Sequence, residues 1–200
     1  DAKRKNVVQA IAAVSENIVV MTNNSQTILK EEYAIASEKI SIIHHGTHLI
    51  SGPERNTINQ RYFLEGKFVP STFGLLSSGK SIETALEALP SIVKKFPNVI
   101  YQVIGRTHPE VVKHEGEKYR RFLESKVKEL GLEKHVKFIN RYLSLEDLLE
   151  YLQLTDIYLF TSKDPNQAVS GTFSYAMGCS CPVISTPIPH AKEMLADNAG

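Results

Sequence analysis

The sequence of 200 residues lacks any long apolar run and any excess of charge of one sign. No stretch approaches the ~20 consecutive apolar residues that a transmembrane helix needs, and no signal peptide is recognisable at its start. The 23 basic and 22 acidic residues are interspersed and leave a net charge of +1, which favours neither nucleic acid nor an anionic membrane as a partner. We therefore expect a cytoplasmic protein, with peripheral attachment to a membrane left open.

Cysteine is also scarce. Cys179 and Cys181 are two residues apart, which is too close for an ordinary disulfide in a helix or a strand, and no second pair could complete a zinc site. We expect both to be buried thiols of a cytosolic protein. His44, His45 and His48 have no neighbouring carboxylates, so we interpret them as part of a turn and expect no metal.

The sequence pattern changes after about residue 50. Short apolar runs at 18–21 and 40–43 indicate buried strands, and Asn23, Asn24 and Ser25 are expected to cap a helix over 26–33. Hydrophobic periodicity fades between 47 and 66, which indicates a linker. The predicted division is residues 1–50, a linker at 51–66, and a second domain at 67–200.

The two ends of the sequence suggest that it continues on both sides. It begins inside a helical pattern without an initiator methionine, and it ends in a turn-like segment at 197–200. We expect a fragment of a larger enzyme.

Strand-like and helix-like segments alternate in the second domain. The predicted strands are 68–76, 99–105, 136–139, 157–160 and 182–186, and the predicted helices are 81–95, 109–130, 145–154, 172–179 and 190–195. Ser144 begins a capping box for the helix at 145–154. The strands are short and almost wholly apolar, as strands covered on both faces should be. Five such repeats predict an α/β fold, a doubly wound, Rossmann-like parallel sheet with helices on both faces.

The segment GLLSSGKS at 74–81 matches the P-loop pattern of nucleotide hydrolases. Such an enzyme also needs a later strand that ends in an aspartate to hold magnesium, and no predicted strand does so; Asp156 precedes its strand. The leucines after Gly74 indicate that the strand continues to Leu76. We therefore disfavour the P-loop interpretation, although either interpretation places an anion near Lys80 at the start of a helix.

The predicted loops at the carboxyl ends of the strands are polar, and several carry positive charge. They comprise 77–80, 106–108, 140–142, 163–171 and 187–190. Ligands of doubly wound sheets bind at this edge, near the point where the strand order reverses. The sequence therefore predicts a site for an anionic, nucleotide-like ligand.

The order of these segments resembles the carboxyl-terminal half of a GT-B glycosyltransferase, in particular glycosyltransferase family 4. The segments that carry the resemblance are FGLLSSGKSIETALEAL at 73–89, Val103-Ile104-Gly105, residues 136–149, Ala176-Met177, and CPVIST at 181–186. Residues 15–33 and 39–46 resemble the end of the amino-terminal GT-B domain. The resemblance therefore covers nearly the whole chain.

The resemblance implies a retaining, metal-independent transferase that uses a nucleoside diphosphate sugar and an acceptor hydroxyl on a carbohydrate or lipid-linked molecule, with no cofactor. Its donor diphosphate would bind at Gly79, Lys80, Ser170, Gly171 and Thr172, with Lys80 and Gln167 as catalytic residues. The base and ribose would contact Arg141, Tyr142 and Tyr175, and His45 and Arg106 are candidates for the cleft. This chain by itself would be catalytically incompetent, because the acceptor side lies elsewhere.

The sequence departs from the family pattern at three positions. Leu75 replaces an arginine, a loss that Arg106 or Arg141 could offset. Gln167 and Tyr175 replace two glutamates eight residues apart, of which the first contacts the donor sugar and the second the ribose. A branch of the family has a Ser-Gly-Thr segment here, so we interpret these changes as divergence. A degenerate sugar-nucleotide-binding or interaction domain, and another GT-B enzyme such as an epimerase or phosphorylase, remain alternatives.

Overall fold

A computed structural model describes residues 2–50 and 52–196 of the chain. The helices are α1 (Ala2–Val14), α2 (Asn23–Glu31), α3 (Arg55–Tyr62), α4 (Ile82–Lys95), α5 (Pro109–Glu115), α6 (Lys118–Glu129), α7 (Leu145–Leu154), α8 (Gly171–Gly178) and α9 (Pro189–Met194). The strands are β1 (Ile18–Val20), β2 (Ile40–Ile42), β3 (Pro70–Phe73), β4 (Tyr101–Ile104), β5 (Val136–Ile139), β6 (Ile157–Phe160) and β7 (Val183–Ser185). The turn-like segment expected at 197–200 lies outside the described residues.

The chain divides into two compact units. The two-stranded unit contains the residues up to 47, residues 165–171 and the residues from 187 onwards, and the five-stranded unit contains residues 48–164 and 172–186. The predicted division at 51–66 therefore differs from the division by contacts. The predicted linker also contains α3, whose Ile58 is fully buried.

In the two-stranded unit, β1 and β2 pair in parallel, with Ile18 opposite Ile40. Helix α2 starts earlier than predicted and is capped by Thr22, whose hydroxyl accepts a hydrogen bond from the Ser25 N–H at 3.1 Å. The carboxylate of Glu193 from α9 accepts the Asn23 N–H at 2.8 Å. Two acceptors from different segments therefore serve the first turn of α2, where N–H groups have no partner within the helix.

The five-stranded unit contains the predicted doubly wound parallel sheet. Its strand order is β5-β4-β3-β6-β7, and every neighbouring pair is parallel. Tyr101 and Val103 of β4 pack with α4 and α6 in one buried cluster, while Val69 packs with Ile58 of α3 and Leu154 of α7 in another. Helices thus cover both faces. The strand order reverses between β3 and β6, so their carboxyl ends form the switch point.

Two predicted elements differ from the observed ones because glycine conformations interrupt them. Strand β3 ends at Phe73 instead of Leu76, since Gly74 has a φ of +126° and only a single bridge pairs Leu76 with Thr107. The helix predicted over 109–130 is two helices, separated at Gly116, whose φ is +60°. The predictions for β5, β6 and α7 are confirmed residue for residue.

The predicted cap of α7 is confirmed, and it gives a stability test. The Ser144 hydroxyl accepts a hydrogen bond from the Asp147 N–H at 3.1 Å. We expect Ser144→Ala to lower the free energy of unfolding by about 1 kcal/mol, because the N–H loses its acceptor. Urea denaturation measures the change. Ser91→Ala is the control, since the Ser91 hydroxyl only contacts the Ala88 carbonyl within α4, and its effect should stay within about 0.5 kcal/mol. Equal midpoints for the two variants would contradict the role of the cap.

Candidate functional site

Two glycines bring the carboxyl ends of β3 and β4 very close together. A Cβ atom built on Gly105 would lie 2.2 Å from the Gly74 carbonyl oxygen, and both glycines have positive φ, +124° and +126°. The Gly74 N–H donates to the Ile104 carbonyl at 2.9 Å. Only glycine fits at Gly105. The positive φ of Gly74 bends the backbone after β3, and Leu76 then pairs again with Thr107 through a single bridge.

The turn after β3 is held in place by the segment after β6. Residues Ser78–Lys80 form a 3-10 turn. The Thr161 hydroxyl donates to the Lys80 carbonyl at 2.7 Å, and the Lys163 N–H donates to the Gly79 carbonyl at 2.9 Å. Gly79 and Lys80 thus lie at the switch point, as predicted, in a turn with defined backbone partners.

Two N–H groups at the start of α4 have acceptors within the protein. The Ile82 N–H donates to the Tyr119 hydroxyl at 3.0 Å, and the Ser81 N–H donates to the Ser78 carbonyl at 3.2 Å. Ser81 itself has a φ of +48°. A P-loop needs its N–H groups to face the phosphates, and here two of them already have protein acceptors. Any anion at this turn would therefore rely on groups other than these two N–H groups, and its presence stays a prediction.

The Lys80 side chain points instead towards Gly74 and Thr172. A Cβ atom built on Gly74 would lie 3.1 Å from Lys80 Nζ and 3.0 Å from Thr172 Cγ2. Thr172 is held by a side-chain hydrogen bond with Tyr158 of β6. Burial lowers the pKa of the Lys80 ammonium, and none of the carboxylates in the described ranges offsets that cost. An anion bound beside Lys80 would supply the missing counter-charge.

Ser170 and Gly171 belong to the two-stranded unit and have different neighbours. The Ser170 N–H donates to Nδ1 of the buried His190 at 3.0 Å. A Cβ atom built on Gly171 would lie 3.0 Å from His45 Nε2. The local sequence pattern gives no signal for His190 itself, although the polar loop predicted at 187–190 contains it. The Ser170 amide already has an acceptor, so any contact from Ser170 to a ligand must come from its side chain.

Three of the predicted base and cleft residues lie together at the carboxyl ends of β4 and β5. Arg106, Arg141 and Tyr142 line a cavity of about 160 Å³ with Gly74 and Gly105. The Arg106 guanidinium lies 5.6 Å from the centre of the Tyr142 ring. Arg141 forms an ion pair of 3.3 Å with Asp147. A flat ring and a guanidinium plane beside an open cavity can stack against an aromatic base.

The residues that replace the two family glutamates have protein partners of their own. The Gln167 amide donates to the Val169 carbonyl at 3.2 Å. The Tyr175 hydroxyl lies 2.6 Å from His48 Nδ1, and the two rings stack with their centres 5.9 Å apart. The local pattern at His48 indicates only a turn, and nothing in it connects His48 to a residue so distant in the sequence.

The described residues contain no group of three or more histidine, cysteine or acidic side chains placed to hold a metal ion. Both cysteines are buried free thiols, as expected, and burial raises the pKa of Cys181 to about 12. Within the same ranges, no helix is long and apolar enough to cross a membrane.

Comparison with known families decides the classification. Residues 54–200 match the family model described as glycosyl transferases group 1. The chain belongs to this family. No curated protein sequence matches it. The match to the group 1 glycosyl transferases starts within the predicted linker and includes α3, in agreement with the packing of that helix against the five-stranded unit.

Solved structures of group 1 and related enzymes have the same fold. HepE from Anabaena, in complex with UDP, is 21% identical over 96% of this chain and 50% of its own, with a TM-score of 0.79. Sucrose-phosphate synthase from Thermosynechococcus elongatus is 20% identical over 96% of this chain and 46% of its own, with a TM-score of 0.76. The C-terminal domain of the group 1 protein LpcC from Francisella tularensis is 25% identical over 74% of this chain and 73% of its own, with a TM-score of 0.62.

These likenesses confirm the predicted GT-B, Rossmann-like fold. The chain spans about half the length of HepE and of the synthase. The five-stranded sheet therefore corresponds to a glycosyltransferase domain, and its switch point carries Lys80 and Thr172.

Proposed function

We propose that this chain is the donor-binding half of a retaining glycosyltransferase of family 4, which moves a sugar from a nucleoside diphosphate sugar to an acceptor hydroxyl without a metal. The observation that carries the proposal is the position of Lys80 Nζ beside Gly74 and Thr172 at the switch point. HepE, which has the same fold, was solved in complex with UDP and glucose. Residues 67–200 would form the donor domain, and residues 1–50 the end of the domain that faces the acceptor.

In this proposal the leaving group is stabilised by fixed charges and dipoles. When the bond between the sugar and the diphosphate breaks, negative charge develops on the distal phosphate. Lys80 would neutralise it, and the start of α8, with Gly171 and Thr172, would direct the positive end of the helix dipole at the same oxygens. Gly79 and the Ser170 side chain would complete the contacts to the diphosphate.

The remaining predicted residues would hold the rest of the donor. Arg141 and Tyr142 would contact the base beside Arg106, and Tyr175 would offer one hydrogen bond to the ribose. Gln167 would contact the donor sugar, and His45 would face it. The acceptor, carbohydrate or lipid-linked, would enter from the other half of the enzyme, so this chain alone should not transfer sugar. We place the protein in the cytoplasm, with attachment to the membrane surface as an option.

Calorimetric titration tests this function. UDP, GDP, ADP and ATP are each added to the chain with and without magnesium. We expect one nucleoside diphosphate to bind without magnesium, and Lys80→Ala to abolish that binding. Magnesium-dependent binding of a triphosphate would instead support a P-loop enzyme. Absence of all binding would favour a degenerate interaction domain. The hydrogen bond between Tyr175 and His48 supports that alternative, because Tyr175 replaces the glutamate with which the family binds the ribose.

Removing the Tyr142 ring should weaken the binding of the nucleotide. The ring lies under the Arg106 guanidinium and is otherwise exposed. We expect Tyr142→Ala to raise the Kd of the preferred nucleoside diphosphate by about tenfold, since an aromatic ring stacked on a base contributes roughly 1–3 kcal/mol. Tyr142→Phe keeps the ring and should bind within about twofold of the unchanged protein. Equal Kd values for Tyr142→Ala and the unchanged protein would place the base elsewhere.

A further inference from the structure

The turn that leads into α8 is held by a histidine far along the chain. The Ser170 N–H donates to Nδ1 of His190, the second residue of α9, at 3.0 Å. Only 2% of His190 and 6% of Ser170 are exposed, so water does not compete for this contact. Ser170 directly precedes α8, and its position therefore fixes where the helix begins.

We propose that neutral His190 is the positioning residue of the proposed donor site, and that protonation of its ring releases the turn at Ser170. This inference rests on the proposed function. His190 would not touch the donor; it would act through the backbone of Ser170, which sets the direction of the first turn of α8.

The chemistry of the ring makes the contact depend on pH. Nδ1 can accept the Ser170 N–H only when it carries no proton, so the single proton of the neutral ring lies on Nε2. An imidazolium carries protons on both nitrogens, and two N–H groups would then face each other. Protonation therefore removes the hydrogen bond and leaves a buried Ser170 N–H without its acceptor.

The charged groups around His190 act in opposite directions. Burial, the largest effect, lowers the pKa of the His190 ring, and His45 and His44, from the segment after β2, lower it further. The Glu193 carboxylate on α9 raises it, but the net direction is downward. Because the folded protein binds the proton less readily than the unfolded chain, the contact is intact at neutral pH. The stability that the contact contributes is complete above about pH 6.5, the ordinary pKa of a histidine, and is lost as the pH falls through the lowered pKa of His190.

Two variants of His190 separate positioning from simple packing. The side-chain oxygen of Asn in His190→Asn can accept the Ser170 N–H but does not titrate, whereas His190→Leu fills the space without an acceptor. The Kd of UDP is measured calorimetrically between pH 5 and 8. At pH 7.5 we expect His190→Asn to bind within about threefold of the unchanged protein and His190→Leu to bind about tenfold more weakly.

The pH profile provides the second readout. Below pH 6.5, UDP affinity of the unchanged protein should fall more steeply than that of His190→Asn. The nucleotide's own terminal phosphate titrates near pH ~6 in both cases, so only the difference between the profiles counts. His114→Asn, at an exposed position in α5, is the control and should follow the unchanged protein. Parallel profiles for the unchanged protein and His190→Asn, or equal losses in the Asn and Leu variants, would overturn the proposal.

A measurement without ligand separates this inference from the proposed function. Amide hydrogen exchange at Ser170, followed by NMR at pH 7.5, should be slow in the unchanged protein and in His190→Asn but faster in His190→Leu. If UDP fails to bind and this exchange pattern is present, the proposed function is wrong, but His190 still positions the turn at Ser170. If Ser170 exchanges equally fast in all three proteins, His190 does not hold the turn, whatever the protein binds.

Discussion

Replacing Lys80 by methionine is expected to lower the rate of sugar transfer by about a hundredfold or more, since a fixed charge aimed at a developing anion contributes on this scale. Methionine keeps most of the apolar stem that lies against Gly74 and Thr172 but removes the ammonium. The rate is measured with the full-length protein and the donor base that calorimetry identifies. We expect kcat to fall, because negative charge develops as the bond to the sugar breaks, and KM for the donor to rise, because Lys80 also holds the diphosphate before the reaction.

The control for this variant is Lys95→Ala, at the exposed end of α4, which removes the same charge far along the helix and should leave the rate unchanged.

The pH dependence of nucleotide binding gives an independent check of the role of Lys80. Burial lowers the pKa of Lys80, so the ammonium loses its proton at a lower pH than an exposed lysine would. Affinity for a nucleoside diphosphate should therefore fall as the pH rises through that pKa, and this alkaline fall should be absent from Lys80→Met. Unchanged kinetics in Lys80→Met would remove Lys80 from the mechanism.

Replacing Gly105 by alanine is expected to lower the free energy of unfolding by about 3 kcal/mol or more, because strain and a backbone clash act together. The new Cβ atom would lie 2.2 Å from the Gly74 oxygen, at a residue whose φ is +124°. Relief requires β3 and β4 to separate where the Gly74 N–H bonds the Ile104 carbonyl. The same movement would shift Gly74 away from Lys80, so nucleotide binding should weaken even in the molecules that remain folded.

Gly131→Ala is the matched control for this prediction. Gly131 has a φ of +63°, and a Cβ atom there would meet nothing within 4 Å. Gly131→Ala should therefore lower the free energy of unfolding by about 1 kcal/mol, which is the strain of a positive φ alone. Urea denaturation of both variants gives the two free energies. Equal losses would mean that the close approach of the Gly74 carbonyl contributes nothing and that backbone strain is the whole effect.

Local pattern predicted the elements whose apolar residues face a covered sheet. Strands β5 and β6 and helix α7 have the predicted bounds, because each is a short apolar run or a capped amphipathic segment. Helix α3 was missed because its sequence is almost wholly polar and only Ile58 is buried. One buried residue produces no periodicity. Such a helix is stabilised mainly by tertiary contacts, here with α7, and these do not appear in the local sequence.

The candidate site shows the same limit. The polar loops at the strand ends and Lys80 could be named from the order of the segments, since parallel strands place their carboxyl ends at one edge of the sheet. The residues that orient the site could not be named in this way. His190 lies twenty residues from Ser170, and His48 lies more than a hundred residues from Tyr175. Contacts over such separations depend on how helices and loops pack, and a single sequence carries no periodic signal for them.

The sequence by itself determined the alternation of strands and helices and the parallel sheet that follows from it, and it predicted the edge at which an anionic ligand would bind. Tertiary structure decided which backbone and side-chain groups remain for that ligand. The clearest example is the segment with the P-loop pattern. There the Tyr119 hydroxyl accepts the Ile82 N–H, and the Lys80 side chain extends towards Thr172. The physical reason is that a helix start binds an anion only when its N–H groups lack other acceptors, and those acceptors come from residues distant in the chain.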